Sequence, residues 1–273
     1  MRNTASILLI CLALAGCATP SNHTATSAVD FLYPNVKEPL AEPGTPVLTL
    51  PLRVGIAFVP GQGYNARGLV MTEAKKTELL DQVATHFRKL PFVKSLEVIP
   101  SAYLRPRGSF ANLDQVRTMY GIDVIALVSY DQTQFTDQGL LSLTYWTVVG
   151  AYVVRGQKND TYTMLDTVVY DIPSRKLLFR APGVSEVKAS STLVNMSEQL
   201  RKNSEQGVAE ATSDMIKNLD GQLVAFQEKV KQRPEDYRVV RSEGYRGSGD
   251  LDGWLLGMLA ALSGAALLRR RRK

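Results

Sequence analysis

Cysteine is nearly absent from this chain of 273 residues, and so is histidine, with two of each. Both cysteines, Cys11 and Cys17, fall close to the N-terminus, so nothing downstream can form a disulfide. The body must be held by packing, whatever the redox compartment. With no further thiol and no H-x-x-x-H pair, the chain has no zinc-site pattern. A Ser-His-Asp triad would have to use His86, and no G-x-S-x-G elbow serves it. His86 falls on the Gln82 side of a predicted helix, away from its apolar stripe, and reads as a surface residue. A charge surplus is also missing once the ends are set aside. The net charge is +6, from 32 basic and 26 acidic residues. Arg2 and the five basic residues that close the chain account for that whole excess. A nearly neutral body offers no basic stripe for nucleic acid, so no nucleic-acid partner is expected.

What is present lies first at the two ends. Met1-Arg2 followed by the apolar run Ile7–Leu14 has the form of an export signal, too short to span a bilayer. It leads directly into Leu14-Ala15-Gly16-Cys17. At the other end stands "GWLLGMLAALSGAALLRRRRK", Gly253 to Lys273. Its uncharged stretch, Trp254 to Leu268, would cover only ~22 Å as a helix, against a hydrocarbon core of ~30 Å. The cluster Arg269-Arg270-Arg271-Arg272-Lys273 would stay cytoplasmic by the positive-inside rule, leaving the body on the far side. Gly244 to Asp250 precedes the run and is rich in glycine, a poor helix former.

Leu14 to Cys17 resembles the lipobox of bacterial lipoproteins. That likeness implies acylation of Cys17, cleavage between Gly16 and Cys17, and handling by signal-peptide and lipid-transfer machinery. Ala18 stands where inner-membrane lipoproteins of many Gram-negative bacteria carry Asp, which implies sorting to the outer membrane. The C-terminal pattern resembles the GlyGly-CTERM tail, a processing signal for rhombosortase, an intramembrane protease of the rhomboid type. Gly247-Ser248-Gly249 stands where two adjacent glycines are usual and marks the expected cut. Lipobox and tail together, with "TVVYDIPSRKLLFRAPG" (Thr167 to Gly183) in the body, resemble the rhombotarget lipoprotein family. The expected organisation is a signal peptide over 1–16, a flexible tether over 17–50 and a globular domain over 51–235. A Gly-rich linker over 236–252 and a hydrophobic helix with its Arg cluster over 253–273 follow.

The body alternates strand and helix signals. Leu52–Val59 is a short apolar run closed by Pro60-Gly61, as in a buried strand. Thr72 can cap a helix with Leu79, Leu80, Val83, Ala84, Phe87 and Leu90 on one face, stopped by Pro91. Ser95–Ile99 and Asp123–Tyr130 read as strands, separated by a helix from Asn112 with Gly121 as its C-cap. Leu141–Val154, Thr161–Asp171 and Lys176–Ala181 are rich in β-branched and aromatic residues and predict a meander of hairpins. The apolar spacing from Leu193 to Val230 predicts one long helix, or two joined near Gly207 or Gly221. This order defines the α+β class: one domain, a mixed sheet, helices mainly on one face. It resembles, in topology alone, the curli-secretion lipoprotein and the TolB amino-terminal domain.

Internal site candidates are few. Gly61-Gln62-Gly63-Tyr64-Asn65-Ala66 fits a loose G-x-G-x-x-A, but no helix starts on its third position and no acidic residue ends the second strand. It reads as a glycine turn, and no cofactor is expected. Asp123, Asp131, Asp137, Asp166 and Asp171 could supply a carboxylate pair for glycoside hydrolysis only if the fold brought two together; as strand-end turn residues they need no such role. Tyr145, Trp146, Tyr152, Tyr162 and Tyr170 suit either sheet packing or a recognition surface. Arg105 and Arg107, between Tyr103 and Phe110, form a basic-aromatic loop. The expected function is that of an exported, non-catalytic lipoprotein of a Gram-negative envelope. It would serve envelope or surface assembly through an unidentified protein partner. An envelope hydrolase and an oligomeric secretion-associated lipoprotein are the alternatives.

Overall fold

The computed structural model describes residues 21–34, 42–61, 71–138, 157–192 and 194–243. The expected strand over Leu141–Val154 and the C-terminal hydrophobic helix lie outside these residues. The chain builds a mixed α+β domain around one six-stranded sheet. Its elements are β1 (Ser21–Ala25), α1 (Ala28–Leu32), β2 (Val47–Leu50), β3 (Leu52–Phe58), α2 (Glu73–Phe87) and β4 (Val93–Val98). A 3-10 turn (Ser101–Tyr103), α3 (Ser109–Tyr120), β5 (Val124–Gln138), β6 (Gln157–Asp171), β7 (Lys176–Ser191), α4 (Met196–Gln232) and β8 (Arg238–Arg241) follow.

The sheet runs β4-β3-β5-β6-β7. The first three strands pair in parallel, and β5, β6 and β7 are antiparallel. That division explains the two rhythms in the sequence. Parallel strands are covered on both faces and read as continuous apolar runs. Along β5, Val124, Ala126, Val128 and Tyr130 face one helical layer while Ile125 and Leu127 face the other. β3 accompanies β5 only as far as Val128. Beyond that point β1 takes over the same edge in the antiparallel sense, with Ala25 opposite Asp131 and Ser21 opposite Phe135.

Helices cover both faces. The two longest, α2 and α4, close the face carrying Ile56, Phe58, Leu165 and Ala181. The expectation of helices mainly on one face understates the other, where α1 and α3 bury Phe31, Leu32, Leu113 and Val116 against Ala57, Ile125 and Leu127. Helix α2 begins where its cap predicts, the Thr72 hydroxyl accepting from the Lys75 amide at 3.3 Å. Gly121 ends α3 at φ 64°, a left-handed conformation that costs glycine least. That helix starts at Ser109, ahead of Asn112. The Asn112 side chain lies within its first turn, accepting from the Arg105 amide at 2.8 Å and donating to the Tyr103 carbonyl.

The C-terminal helix is one element of 37 residues, unbroken at Gly207 and Gly221. It seats closely on β7. A Cβ built on Gly183 would lie 2.1 Å from the Ala211 carbonyl oxygen.

The expected tether over 17–50 is corrected for its described part. Residues 21–25 are a strand of the main sheet, and α1 buries Phe31 and Leu32 at 2% exposure each. The Ser27 hydroxyl caps α1 by accepting from the Asp30 amide. Residues 47–50 form β2, which pairs in parallel with β8 as a separate ribbon. Composition concealed this, since a strand of polar Ser, Asn, His and Thr is held by backbone pairing and carries no apolar signal.

Candidate functional site

The amino ends of the parallel strands gather polar residues at one edge of the sheet. Arg53 is the second residue of β3 and Lys94 the second of β4, Asp123 immediately precedes β5, and Arg117 comes from the last turn of α3. Asp171 ends β6 at the same edge, because the antiparallel register pairs it with Val124. The β2–β8 ribbon stands across from them, tied down where the Gly44 amide donates to the Ser174 carbonyl at 2.9 Å. Between ribbon and sheet lies a cleft of about 700 Å³, lined by Arg53, Lys94, Arg117, Asp123, Asp171 and Ser174 among others.

Asp123 is clamped. Its Oδ2 accepts from Arg53 Nε at 2.9 Å and lies 2.8 Å from Arg53 Nη2, and its Oδ1 accepts from Arg117 Nη2 at 3.4 Å. A two-nitrogen fork on a carboxylate combines charge with fixed geometry. Asp171 is only 1% exposed. Its Oδ2 accepts from the Ser174 amide at 3.0 Å, the turn role expected of a strand-end Asp. Its Oδ1 has no hydrogen-bond partner, and neither does the buried Nε of Arg117. Lys94 is exposed and makes no ion pair among the described residues. The cleft holds three cationic and two anionic side chains, so it suits an anion better than a metal. Among the described residues no group of three or more His, Cys, Asp and Glu could hold a metal ion.

Of the aspartates singled out in the sequence, Asp123 and Asp171 come together here. Asp131 pairs with His23 at 2.9 Å on the sheet edge. Asp166 is held by Arg180 at 2.7 Å. The side chain of Asp137 lies outside the described residues. His86 sits on the surface and reaches Asp220 of α4 at 3.0 Å. Arg107 donates to the Pro34 carbonyl and helps hold the N-terminal segment, while Phe110 is buried between Tyr33 and Tyr170. Tyr170 is half-buried in packing, and burial pushes its phenol up to about 12. Tyr162 is exposed, edge-to-face with Phe135. Tyr145, Trp146 and Tyr152 lie outside the described residues. So do Gln62 to Ala66 of the glycine loop, Gly16, Cys17, Gly247, Ser248, Gly249, the run Trp254 to Leu268 and the cluster Arg269 to Lys273. No described helix is long and apolar enough to cross a membrane.

Lys94, Arg53 and Arg117 were not legible as a set, being spread over three elements with no common spacing. The signal available was positional. Each stands one or a few residues before an apolar run, and parallel neighbours bring such positions to the same edge. That edge is opposite the carboxyl ends of the strands, where nucleotide sites of open α/β sheets fall. A second, smaller space of about 90 Å³ lies in the apolar core between α2, α4 and the sheet. It is below the ~150 Å³ that accommodates a benzene, and far too small for an acyl chain.

No protein-family model and no curated protein matches this chain. Among solved structures it is similar to a Helicobacter pylori protein described as a neuraminyllactose-binding hemagglutinin homolog. They share 11% identity over 74% of this chain and 97% of that one, with a TM-score of 0.36. It is also similar to the PelC dodecamer from Paraburkholderia phytofirmans, at 12% identity over 73% of this chain and 96% of that one, TM-score 0.26. Likenesses this distant carry no weight for the site or its chemistry.

Proposed function

We propose that the chain is an exported lipoprotein acylated on Cys17 and trimmed by a rhombosortase near Gly247 to Gly249. Its folded body would be non-catalytic and work in envelope or surface assembly at the outer membrane of a Gram-negative cell, through contacts with an envelope protein. The observation that carries this reading is the pairing on one chain of Leu14-Ala15-Gly16-Cys17 with a glycine-rich, apolar, arginine-ended tail.

The fold gives the proposal a geometry. Only three residues separate Cys17 from Ser21, the first residue of β1, so an acyl group there would lie within ~15 Å of the sheet. Ser21 pairs with Phe135, while the cleft lies by Asp123 at the other end of β5. At ~3.3 Å per residue those points are ~40 Å apart, so the cleft would face away from the anchoring membrane. The body would rest directly on the lipid surface with its cleft presented outwards.

A hydrolase reading draws on the convergence of Asp123 and Asp171 in one cleft. The occupied oxygens of Asp123 weigh against it, since a carboxylate clamped by two guanidinium groups is poorly placed to take a proton from water. Metabolic labelling with an alkyne palmitate in a Gram-negative host tests the lipoprotein reading. Label is expected on the wild-type chain and absent from Cys17→Ala. Equal labelling of the variant, or none on either, would count against acylation at this position.

A further inference from the structure

We propose that the open edge of β8 takes up an extended acidic segment of a partner protein as an added strand. This rests on the reading of the body as one that works through protein contacts, while its test needs neither the acyl group nor the removal of the tail. The ribbon has two strands, and among the described residues no third strand pairs with β8. Its hydrogen bonds fix the phase of that edge. The Arg238 amide donates to the Pro46 carbonyl and the Ser242 amide to the Leu50 carbonyl, each at 2.9 Å. In a parallel pair every second residue turns both backbone groups to its neighbour, so Arg238, Val240 and Ser242 serve β2. The amides and carbonyls of Val239 and Arg241 turn the other way, and no described group bonds to them. A row of unpaired backbone groups is a template for another strand.

The side chains select the partner. β8 reads Arg238-Val239-Val240-Arg241 and is exposed at all four positions. Neither arginine makes an ion pair among the described residues. Lys176 and Lys229 lie over the Tyr237 ring at the start of the strand, Asp236 is held by Arg233, and Glu243 follows beyond its end. A second copy of β8 fits this edge badly. Paired in register in either direction, it sets arginine opposite arginine, and like charges directly opposite destabilise a strand pair. The same pattern favours a segment with an acid at each end and two β-branched residues between them. Each acid then faces an arginine, and the valines meet apolar side chains. Because β8 reads the same in both directions, parallel and antiparallel addition satisfy the pattern alike. A two-stranded ribbon is marginal in water, and a third strand would stabilise it.

The test is amide NMR of the isotope-labelled full chain in detergent, titrated with the capped peptide Thr-Glu-Val-Val-Glu-Thr and, for comparison, Thr-Lys-Val-Val-Lys-Thr. Saturable shifts are expected with the acidic peptide at millimolar concentration or below, largest at the amides of Val239 and Arg241, and none with the basic one. Arg238→Glu combined with Arg241→Glu should weaken the acidic peptide about ten-fold or more and let the basic one bind. Val239→Pro removes a donor of the open edge and none that serves β2, so it should abolish binding while the other ribbon signals stay in place. The proposal is overturned if the acidic peptide does not bind, or if reversing the charges leaves the preference unchanged. Binding to Val239→Pro at wild-type strength would also overturn it, reducing the edge to a plain cationic patch. So would a wild-type dimer in sedimentation that Val239→Pro converts to a monomer, since a second copy would then hold the edge.

Discussion

Tyr130 shows how one phenol can set a limit on stability. It is 5% exposed, and burial pushes its ionisation up to about 12, with a hydrogen bond to Ser204 acting the other way. Burial likewise holds Tyr170 at about 12, with Tyr33 adding to the shift. In the unfolded chain both ionise near 10. The native state therefore keeps protons that the unfolded state has lost, and stability present below pH 10 drains away as pH rises towards 12. For Tyr130 the loss is on the order of 2 kcal/mol. Urea midpoints measured from pH 9 to 12 should fall steeply above 10, and Tyr130→Phe should flatten that fall. An identical slope in the variant would show that the phenol does not govern it. In the sequence Tyr130 closes an expected strand, and Tyr170 suits either sheet packing or a recognition surface. Their depth was not legible, because it depends on α4 and on Tyr33, both remote in the chain. Asp171 tells the same story in polar form: its turn role follows from "YDIPSR", but its orphaned oxygen only from the fold.

At the scale of elements, the least expected feature is a polar layer under the first half of α4. Gln132, Gln134, Asn159, Thr161 and Thr163 are all buried. Gln132 donates to Thr163 Oγ1 at 2.7 Å and accepts from the Ser204 hydroxyl at 2.6 Å, while Gln134 donates to the Leu200 carbonyl at 2.9 Å. In sequence the apolar run that marks this strand covers Asp123–Tyr130, and the alternating Gln and Thr beyond it carry no apolar signal. Their burial comes from α4, roughly 70 residues downstream, and no local pattern carries it. Conversely, the apolar end of α4 and the capped start of α2 were plain from spacing, because their partners are the ordinary core. The two glycines of this packing make opposite predictions. Gly183 touches the helix backbone, so Gly183→Ala should cost about 1–3 kcal/mol through overpacking. Gly221 is exposed inside α4 with nothing near its missing Cβ, so Gly221→Ala should stabilise by about 0.5–1 kcal/mol. Chemical denaturation of both variants checks the pair. Equal effects would contradict the seating of α4 on β7.

For the whole molecule, the class and the order of the central elements were readable from hydrophobic rhythm, and β3 from its apolar run and the Pro60-Gly61 that closes it. The part that residues 21–34 take in the fold was not readable. Residues 21–34, polar and loose in composition, complete the sheet and close one of its faces. This changes what an anchor at Cys17 would do, replacing a body raised on a long tether by one seated on its membrane. β1 and β8 lie at different places in the domain, β1 pairing with the far end of β5 and β8 with β2 beside the cleft. The central claim concerns the two ends of the chain, and the intact mass of the mature protein from its native host tests it most directly. The account predicts a chain that starts at an acylated Cys17 and stops near Ser248. A mass that retains Arg269 to Lys273, or one without added lipid, would contradict it.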